Sequence, residues 1–267
     1  MQRKLIFSIA ILFALLPAGC ATNPITGRQE LMFFPEQHDV EIGRTYAPEI
    51  EKQMGGRIDD PALQNYIDSV GQRIARLSHR PDLPYHFIAV DHNSVNAFAL
   101  PGGYVYITKG MLAKLNTEAQ LAGILAHEIT HIVARDSSAA MSRQIGINLV
   151  LSTITSEKTP QNARMVADIT KQIMSLQYSR KDERQADLTG LSYMTEAGFN
   201  PYGMVQTMQI LQAQQQIRPI EFFSTHPAPQ SRIAYLTEEI HSKYYATVKL
   251  KVGTEQYRRN VLDHLSN

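Results

Sequence analysis

The residues whose types and spacing predict chemistry lie at positions 127–131, where the sequence reads His-Glu-Ile-Thr-His. Residues four apart on a helix share a face, so His127 and His131 can direct imidazole nitrogens at one metal ion. Glu128 is turned by about 100° from His127, which places its carboxylate beside that ion. This H-E-x-x-H pattern predicts half of a hydrolytic zinc site.

Two imidazoles are an incomplete ligand set, because catalytic zinc takes three protein ligands and leaves its fourth position to water. Candidates lie in the charged stretch 178–187, where Glu183 and Asp187 would share one helix face. Glu183 would complete a His2Glu site, and Asp187 would accept the free N–H of a ligand histidine. Taken alone, this stretch favours a solvated surface with Arg180, Lys181 and Arg184, and only its place downstream of the H-E-x-x-H pattern favours a ligand.

A capping signature and an apolar stripe predict the helix that carries the two histidines. Thr117, followed three residues later by Gln120, has the form of a capping box. Aliphatic residues from Leu121 to Val133 then recur at helical spacing, and Gly123 and the two histidines lie away from that stripe. We expect this helix to pack through one face and to carry the site on the other.

Local patterns also predict the elements around this helix. Asp60 followed by Pro61 is typical of a helix beginning, and the apolar stripe that follows ends near Ser78. Short β-forming runs around Gly102-Gly103 predict a small sheet with a tight connection. The remaining predicted helices begin at Glu36, run from 182 to 197, and run from 202 to 216. The predicted strands are 85–90, 97–100 and 104–108.

Two segments are predicted to line a substrate cleft. An exposed strand edge offers unpaired N–H and C=O groups to an extended peptide, and Asn96, Ala97 and Phe98 are the candidate edge. A purely structural hairpin is the alternative. The apolar run from Met141 to Ile154, with the polar stretch to Asn162, reads as a flap over the cleft or as core packing.

The first nineteen residues have the plan of a secretory signal. Arg3 and Lys4 form a positive start, and the apolar stretch from Leu5 to Leu16 is too short to span a bilayer. Small residues then precede Cys20, the one cysteine of the chain, as in bacterial lipoprotein processing sites. We expect residues 1–19 to be a lipoprotein signal peptide and Cys20 to carry lipid, with simple secretion as the alternative.

Length and charge predict the organisation of the remainder. Residues 20–35 are expected to form an extended lipidated tether, and residues 36–267 a single domain. The 26 Lys and Arg residues balance 25 Asp and Glu residues, so no broad basic field for nucleic acid is present. Ala21 after the cysteine follows the usual pattern for sorting to the outer membrane, facing the periplasm.

Together these motifs resemble peptidase family M48, a family of zinc metallopeptidases, and in particular its soluble bacterial lipoprotein-type members. The resemblance implies an α+β, zincin-like (gluzincin) domain, mostly helical, with a small β-sheet at the active-site cleft. It also implies one Zn²⁺ per chain, with Glu183 as third ligand and Asp187 in support. The motifs lie, in the family's order, at 23–27, 96–103, 127–131, 178–187 and 224–227.

The resemblance also places His226 beside the metal. There it would donate a hydrogen bond to the developing oxyanion, or bind zinc itself in a resting state. Arg232 is either a brace for the site or a surface ion-pair residue. Gln185 departs from the family, whose members often have glutamate there, but it is not a ligand position.

The implied function is that of a zinc-dependent endopeptidase of the bacterial cell envelope. It would cleave unfolded or misassembled proteins with metal-activated water, in contact with the membrane through Cys20 and with the outer-membrane assembly machinery. Glu128 would take the proton of the water and pass it to the leaving amine. One alternative is a chaperone-like envelope-assembly lipoprotein with a latent zinc site, and another is a zinc carrier.

Overall fold

The computed structural model describes residues 20–143, 170–226, 231–244, 246 and 249–265. The strands are β1 (Cys20–Thr22), β2 (Gln29–Leu31), β3 (His86–Val90), β4 (Ala97–Leu100) and β5 (Tyr104–Thr108). The longer helices are α1 (Glu36–Gln53), α2 (Pro61–Ala75), α4 (Glu118–Ala134), α5 (Arg180–Glu196), α6 (Tyr202–Ile217) and α8 (Ser231–Lys243). The short helices are α3 (Lys109–Leu112), α7 (Phe222–Thr225), α9 (Thr254–Tyr257) and α10 (Asp263–Leu265), with a π-helical turn at Arg258–Leu262 between the last two.

Helical residues 136–143 follow α4, and the predicted flap at 141–162 lies outside the described residues after its first three positions. The predicted signal peptide, residues 1–19, lies outside them as well. Within the described ranges, none of the helices combines the length and apolar character that crossing a membrane requires.

The central sheet has the strand order β3-β5-β4. β3 pairs with β5 in parallel, with His86 opposite Tyr104, and β4 pairs with β5 in antiparallel, with Ala97 opposite Ile107. The connection between β4 and β5 turns at Gly102 and Gly103, whose φ values are 82° and 103°. A side chain at either position would be strained, which explains the paired glycines. The predicted strands are confirmed, and β4 is an edge strand of this sheet.

Side-chain caps begin the helices that matter for the site. The Thr117 hydroxyl accepts from the Gln120 backbone N–H at 3.2 Å, as predicted, but the Gln120 side chain accepts from Asn116, one residue earlier than in a capping box. Ser179 and Asp182 form a complete capping box at the beginning of α5. Asp60 caps α2, which ends at Ala75, three residues before the predicted end.

Helix α4 is buried along its whole length, including the face that carries the two histidines. The face with little bulk is covered by α5 and α6. A Cβ on Gly190 of α5 would lie 3.0 Å from the backbone of Ala126 and His127. A Cβ on Gly203 of α6 would lie 2.4 Å from the backbone carbonyl of Ala119. Glycine on the neighbouring helices therefore permits an approach that closes both sides of α4.

The N-terminal segment differs from the extended tether that was expected. β1 and β2 pair as an antiparallel hairpin. Asn23 is buried in its turn, where the side-chain oxygen accepts from the backbone N–H groups of Ile25 and Thr26. Gln185 on α5 also donates to that oxygen, at 3.3 Å. An Asn side chain that satisfies backbone donors favours a turn over an extended chain, and here it fastens the hairpin to α5.

Gly203→Ala is expected to destabilise the protein. Alanine favours a helix over glycine by about 1 kcal/mol, but overpacking against a fixed backbone carbonyl costs about 1–3 kcal/mol. The cost of overpacking therefore exceeds the gain in helix propensity. Urea unfolding should show a free energy of unfolding that is lower by about 1 kcal/mol. Gln216→Ala, at an exposed position of the same helix, is the control. An unchanged unfolding midpoint for Gly203→Ala would show that α4 and α6 separate freely.

Candidate metal centre

Helix α4 places the two predicted histidine ligands side by side. The Nε2 atoms of His127 and His131 lie 3.1 Å apart, and both rings are buried. Each ring directs its other nitrogen, Nδ1, at a carboxylate: Asp187 for His127 at 3.0 Å and Asp136 for His131 at 2.7 Å. This bond fixes the Nδ1–H tautomer, which leaves both Nε2 lone pairs free to bind a metal.

Helix α5 brings a carboxylate to the same point. Glu183 Oε1 lies 3.4 Å from His131 Nε2, and Glu183 Oε2 lies 3.6 Å from His127 Nε2. Glu183 is fully buried, although the charged stretch around it, taken alone, favoured a solvated surface. Because Gly190 lets α5 pack closely on α4, Glu183 of α5 lies in the interior of the protein.

The donor set fits zinc. Donors about 2.0–2.1 Å from a tetrahedral ion lie about 3.3 Å from one another, and Zn²⁺ prefers imidazole and carboxylate ligands of this kind. The separations between the two Nε2 atoms and the Glu183 oxygens, from 3.1 to 3.6 Å, bracket that value. His127, His131, Glu183 and His226 together form a buried group that could hold one metal ion.

Asp187 is also held by residues of α8. The Arg232 guanidinium donates to both Asp187 oxygens, at 2.6 and 2.8 Å, and to Glu183 Oε2 at 2.8 Å. Tyr235 also donates to Asp187. Arg232 is buried, so it braces the site and is not a surface ion-pair residue. A planar guanidinium suits this double contact better than a lysine would.

Charge explains why these acids stay ionised in the interior. Burial alone would raise the pKa of Asp187, but Arg232 and His127 outweigh burial and hold the pKa below its ordinary value. For Glu183, burial likewise opposes ionisation, and His226 and His127 outweigh it, so its pKa lies well below the usual range. Both carboxylates therefore remain charged, as a metal site requires.

His226 lies between the ligand cluster and Glu128. Its Nδ1 is 2.8 Å from Glu183 Oε1 and 3.3 Å from His127 Nε2, and its Nε2 is 3.5 Å from Glu128 Oε1. The Phe222 ring stacks on the imidazole with a centroid distance of 4.5 Å. The Phe222 backbone N–H in turn donates to Val95, directly before the predicted edge strand. The α7 segment thus connects the site to the beginning of β4.

Glu128 lies beside the donor cluster but makes no hydrogen bond there. Neither of its oxygens has a hydrogen bond to the described residues, although both are fully buried. Burial raises its pKa above the ordinary value. A buried, unpaired carboxylate is costly unless a further group meets it. Its position beside the donor cluster is where a general base for an activated water belongs.

Comparison with known proteins identifies the family. Residues 61–240 match the model described as Peptidase family M48. The chain belongs to peptidase family M48. The α+β, zincin-like fold and the zinc cofactor implied by the motifs are thereby confirmed, since M48 members are zinc metallopeptidases.

Three relatives illustrate the range of the M48 matches. The "Beta-barrel assembly-enhancing protease" of Escherichia coli is 32% identical over 189 residues, which cover 66% of this chain and 39% of that protein. The protein of the same name from Yersinia pestis is 27% identical over 251 residues, covering 86% and 51%. The "Mitochondrial metalloendopeptidase OMA1" of Schizosaccharomyces pombe is 32% identical over 177 residues, covering 65% and 52%. The chain thus spans about two-fifths to one-half of the length of these relatives.

The M48 motif that contains the predicted substrate edge is placed against the site helix. Asn96 precedes β4, and Ala97 and Phe98 begin it. On one side β4 pairs with β5. The side-chain oxygen of Asn96 is buried without a partner among the described residues. All four β4 residues and Asn96 are buried, backbone included, so the edge that was predicted to be exposed is covered in this structure.

Two residues that hold His131 were missed by the sequence analysis. Asp136 accepts from its Nδ1, and Tyr178 stacks on its ring with a centroid distance of 3.9 Å. Burial lowers the pKa of His131, but Asp136 and Glu183 outweigh burial and raise the pKa to about 10. The sequence offers two weak signals for them. Asp136 is an acidic residue just after an apolar helix, and Tyr178 is an aromatic residue just before the Ser179 cap.

Arg232→Ala is expected to lower the free energy of unfolding of the zinc-free protein by about 3 kcal/mol, because it leaves two buried carboxylates without their counter-charge. Zinc should reduce this loss, since the ion supplies positive charge to Glu183. Urea unfolding with and without zinc measures both effects. The control is Arg218→Ala, an exposed arginine beyond α6. Equal stability of the two variants would contradict a bracing role for Arg232.

Proposed function

We propose that this protein is a zinc-dependent endopeptidase of the bacterial cell envelope that cleaves unfolded or misassembled proteins. The observation that carries the proposal is the convergence of two imidazole Nε2 atoms and the Glu183 carboxylate. A fully buried carboxylate with no partner, Glu128, lies beside them. A carrier site for zinc would have no use for such a base, whereas peptide hydrolysis requires one.

The three metal ligands and Glu128 would have separate roles in the reaction. Zinc held by His127, His131 and Glu183 would acidify a water molecule toward a pKa of about 7 and polarise the peptide carbonyl. Glu128 accepts the proton of that water and delivers it to the leaving amine. Its raised pKa suits this exchange, because a base with a low pKa would not hold the proton long enough to return it.

His226 has two possible roles that its position supports. Its buried Nε2 has no hydrogen-bond partner among the described residues and lies near Glu128, where it can donate to an oxyanion that develops on the substrate. Its Nδ1 lies within reach of the ligand cluster, where it can occupy the fourth position of the metal in a resting state. The second role restrains the site until substrate displaces the ring.

The proposed substrate site is the edge of β4 that does not pair with β5, at Asn96, Ala97 and Phe98. These residues are buried, so the edge must be uncovered before a peptide can pair with it. An extended peptide added there would read backbone N–H and C=O groups more than side chains. Unfolded proteins present such segments, and folded proteins do not. The name of the bacterial relatives, β-barrel assembly-enhancing proteases, supports unfolded or misassembled envelope proteins as the substrates. It also supports contact with the outer-membrane assembly machinery.

Glu128→Gln is expected to keep one zinc per chain and to lower kcat for casein by about 10²–10⁴-fold, because general base catalysis is lost while the ligands remain. Glu183→Ala should lose zinc as well as activity. Metal analysis and initial cleavage rates check both expectations. Glu196→Gln, an exposed position of α5, is the matched control for the charge change.

Two outcomes for Glu128→Gln test the proposed mechanism, and two for His226→Ala distinguish the roles of that ring. Full cleavage by Glu128→Gln would exclude the proposed mechanism. Inactive Glu128→Gln that still supports envelope assembly in cells would favour the chaperone-like alternative. In the same assay His226→Ala distinguishes its two roles: kcat falls if the ring stabilises the oxyanion, whereas activity rises and zinc affinity falls if the ring is a resting ligand.

Lipid attachment at Cys20 and location at the outer membrane, which we also propose, have a separate test. The wild-type protein should incorporate labelled palmitate and fractionate with the outer membrane, while Cys20→Ser should be unlabelled and released with soluble periplasmic proteins. Ala21→Asp should keep the label and move to the inner membrane. Density-gradient fractionation of cell envelopes measures all three. An unlabelled wild type in the soluble fraction would leave simple secretion as the correct interpretation, whereas a labelled Cys20→Ser variant would show that the lipid is attached to another residue.

A further inference from the structure

The residues just after α4 form a buried polar segment that the metal site depends on. These are residues 135–138, Arg-Asp-Ser-Ser, which we name the cap segment, and all four are less than a tenth exposed. Four consecutive polar residues in the interior need partners for their side chains. Each of them has one: Asp136 contacts the zinc ligand His131 and Ser137 contacts Tyr178, which stacks on that ligand. Arg135 and Ser138 share Asp39.

The first contact is between the cap segment and a ligand. Asp136 Oδ2 lies 2.7 Å from His131 Nδ1, as Asp187 Oδ1 lies 3.0 Å from His127 Nδ1. Each ligand histidine thus has its own carboxylate, one from α5 and one from the cap segment. Such a partner sets the ring tautomer and orientation and makes the nitrogen that faces the metal a better donor.

The second contact fixes the plane of the same ring. Ser137 Oγ lies 2.9 Å from the Tyr178 hydroxyl, and the Tyr178 ring is stacked on His131 with an interplanar angle of 11°. His131 is therefore held along its edge by Asp136 and across its face by Tyr178. The cap segment supplies both contacts, the first directly through Asp136 and the second through the Ser137–Tyr178 hydrogen bond.

The outer two residues anchor the segment to α1. Arg135 donates from Nε to Asp39 Oδ2 at 2.6 Å and from a terminal nitrogen to Asp39 Oδ1 at 2.9 Å, and Ser138 donates to Asp39 Oδ1 at 2.8 Å. Arg135 has a left-handed backbone with φ of 62°, which a non-glycine residue adopts only when its surroundings hold it there. The bidentate ion pair supplies that hold. It turns the chain so that Asp136 faces back toward His131.

Asp39 also lies against the substrate side of the molecule. A Cβ on Gly102, in the turn after β4, would lie 2.4 Å from the backbone carbonyl of Asp39. The residue that anchors the cap segment therefore also packs on the turn that ends the proposed substrate edge. Asp39 of α1 thus contacts both the turn after β4 and the cap segment that holds His131.

We propose that Asp136 is the positioning residue for the zinc ligand His131, and that the Arg135–Asp39 ion pair holds Asp136 in place. The proposal rests on the zinc site of the proposed function and adds a residue to it. Asp136→Ala should weaken zinc binding by about 10–100-fold, the usual effect of losing such a partner. Asp136→Asn keeps an acceptor oxygen and should restore most of the affinity. Arg135→Gly, which tolerates the left-handed backbone, should weaken zinc binding less than Asp136→Ala does.

Zinc affinity is measured by competition with a chromophoric chelator, and folding of each variant by circular dichroism. Asp91→Ala, an exposed aspartate that pairs with Lys109, is the control and should bind zinc as the wild type does. A folded Asp136→Ala variant with wild-type affinity would overturn the proposal. So would an Asp136→Asn variant that binds zinc as weakly as Asp136→Ala, because the acceptor oxygen would then have no role.

Nuclear magnetic resonance of ¹⁵N-histidine-labelled protein gives a readout that packing alone would not change. In the zinc-loaded wild type, His131 should show a protected Nδ1–H resonance far downfield. In Asp136→Asn that resonance should move upfield, because an amide oxygen is a weaker acceptor than a carboxylate. An unchanged resonance would overturn the proposal even if Asp136→Ala fails to fold. Wild-type protein that binds no zinc would refute the proposed function instead, and the hydrogen bond remains measurable in the zinc-free protein.

Discussion

The close packing of α5 on α4 is the constraint on which the rest of the site depends. Gly190 lies so near the backbone of Ala126 and His127 that a Cβ there would be at 3.0 Å. Only this approach brings Glu183 and Asp187 of α5 within reach of the histidines of α4. A larger residue would separate the helices and move the carboxylates away from the imidazoles. A packing requirement therefore decides whether a metal site exists.

That approach creates an electrostatic problem that the surrounding residues resolve. Glu183 and Asp187 are brought one turn apart into an interior where unpaired carboxylates are costly. Arg232 bonds to both, and the imidazoles contact both. The result is a pair of acids that stay ionised despite burial. For Glu128, burial outweighs the nearby histidines and Arg232, and its raised pKa distinguishes the proposed base from the proposed ligand Glu183.

The site is also enclosed, which bears on how its activity would be controlled. His226 is buried between Glu128 and the ligand cluster, with Phe222 stacked on one face. A peptide bound along β4, as proposed, would have to move or contact this ring. Because the Phe222 backbone bonds to Val95 beside β4, such binding and displacement of His226 would involve one continuous piece of structure.

The sequence by itself determined the local structure and the kind of chemistry. Thr117, Asp60 and the spacing of His127 and His131 act within one or two helical turns, so their effects can be read from the chain. Only the tertiary structure decided that Glu183 is buried, that Arg232 is a brace, and that α4 has no open face. It also revealed Asp136, which lies next to a ligand because Arg135 pairs with Asp39, a residue ninety-six positions away. Contacts of that separation leave no periodic signal in a single sequence, since they arise from packing between elements.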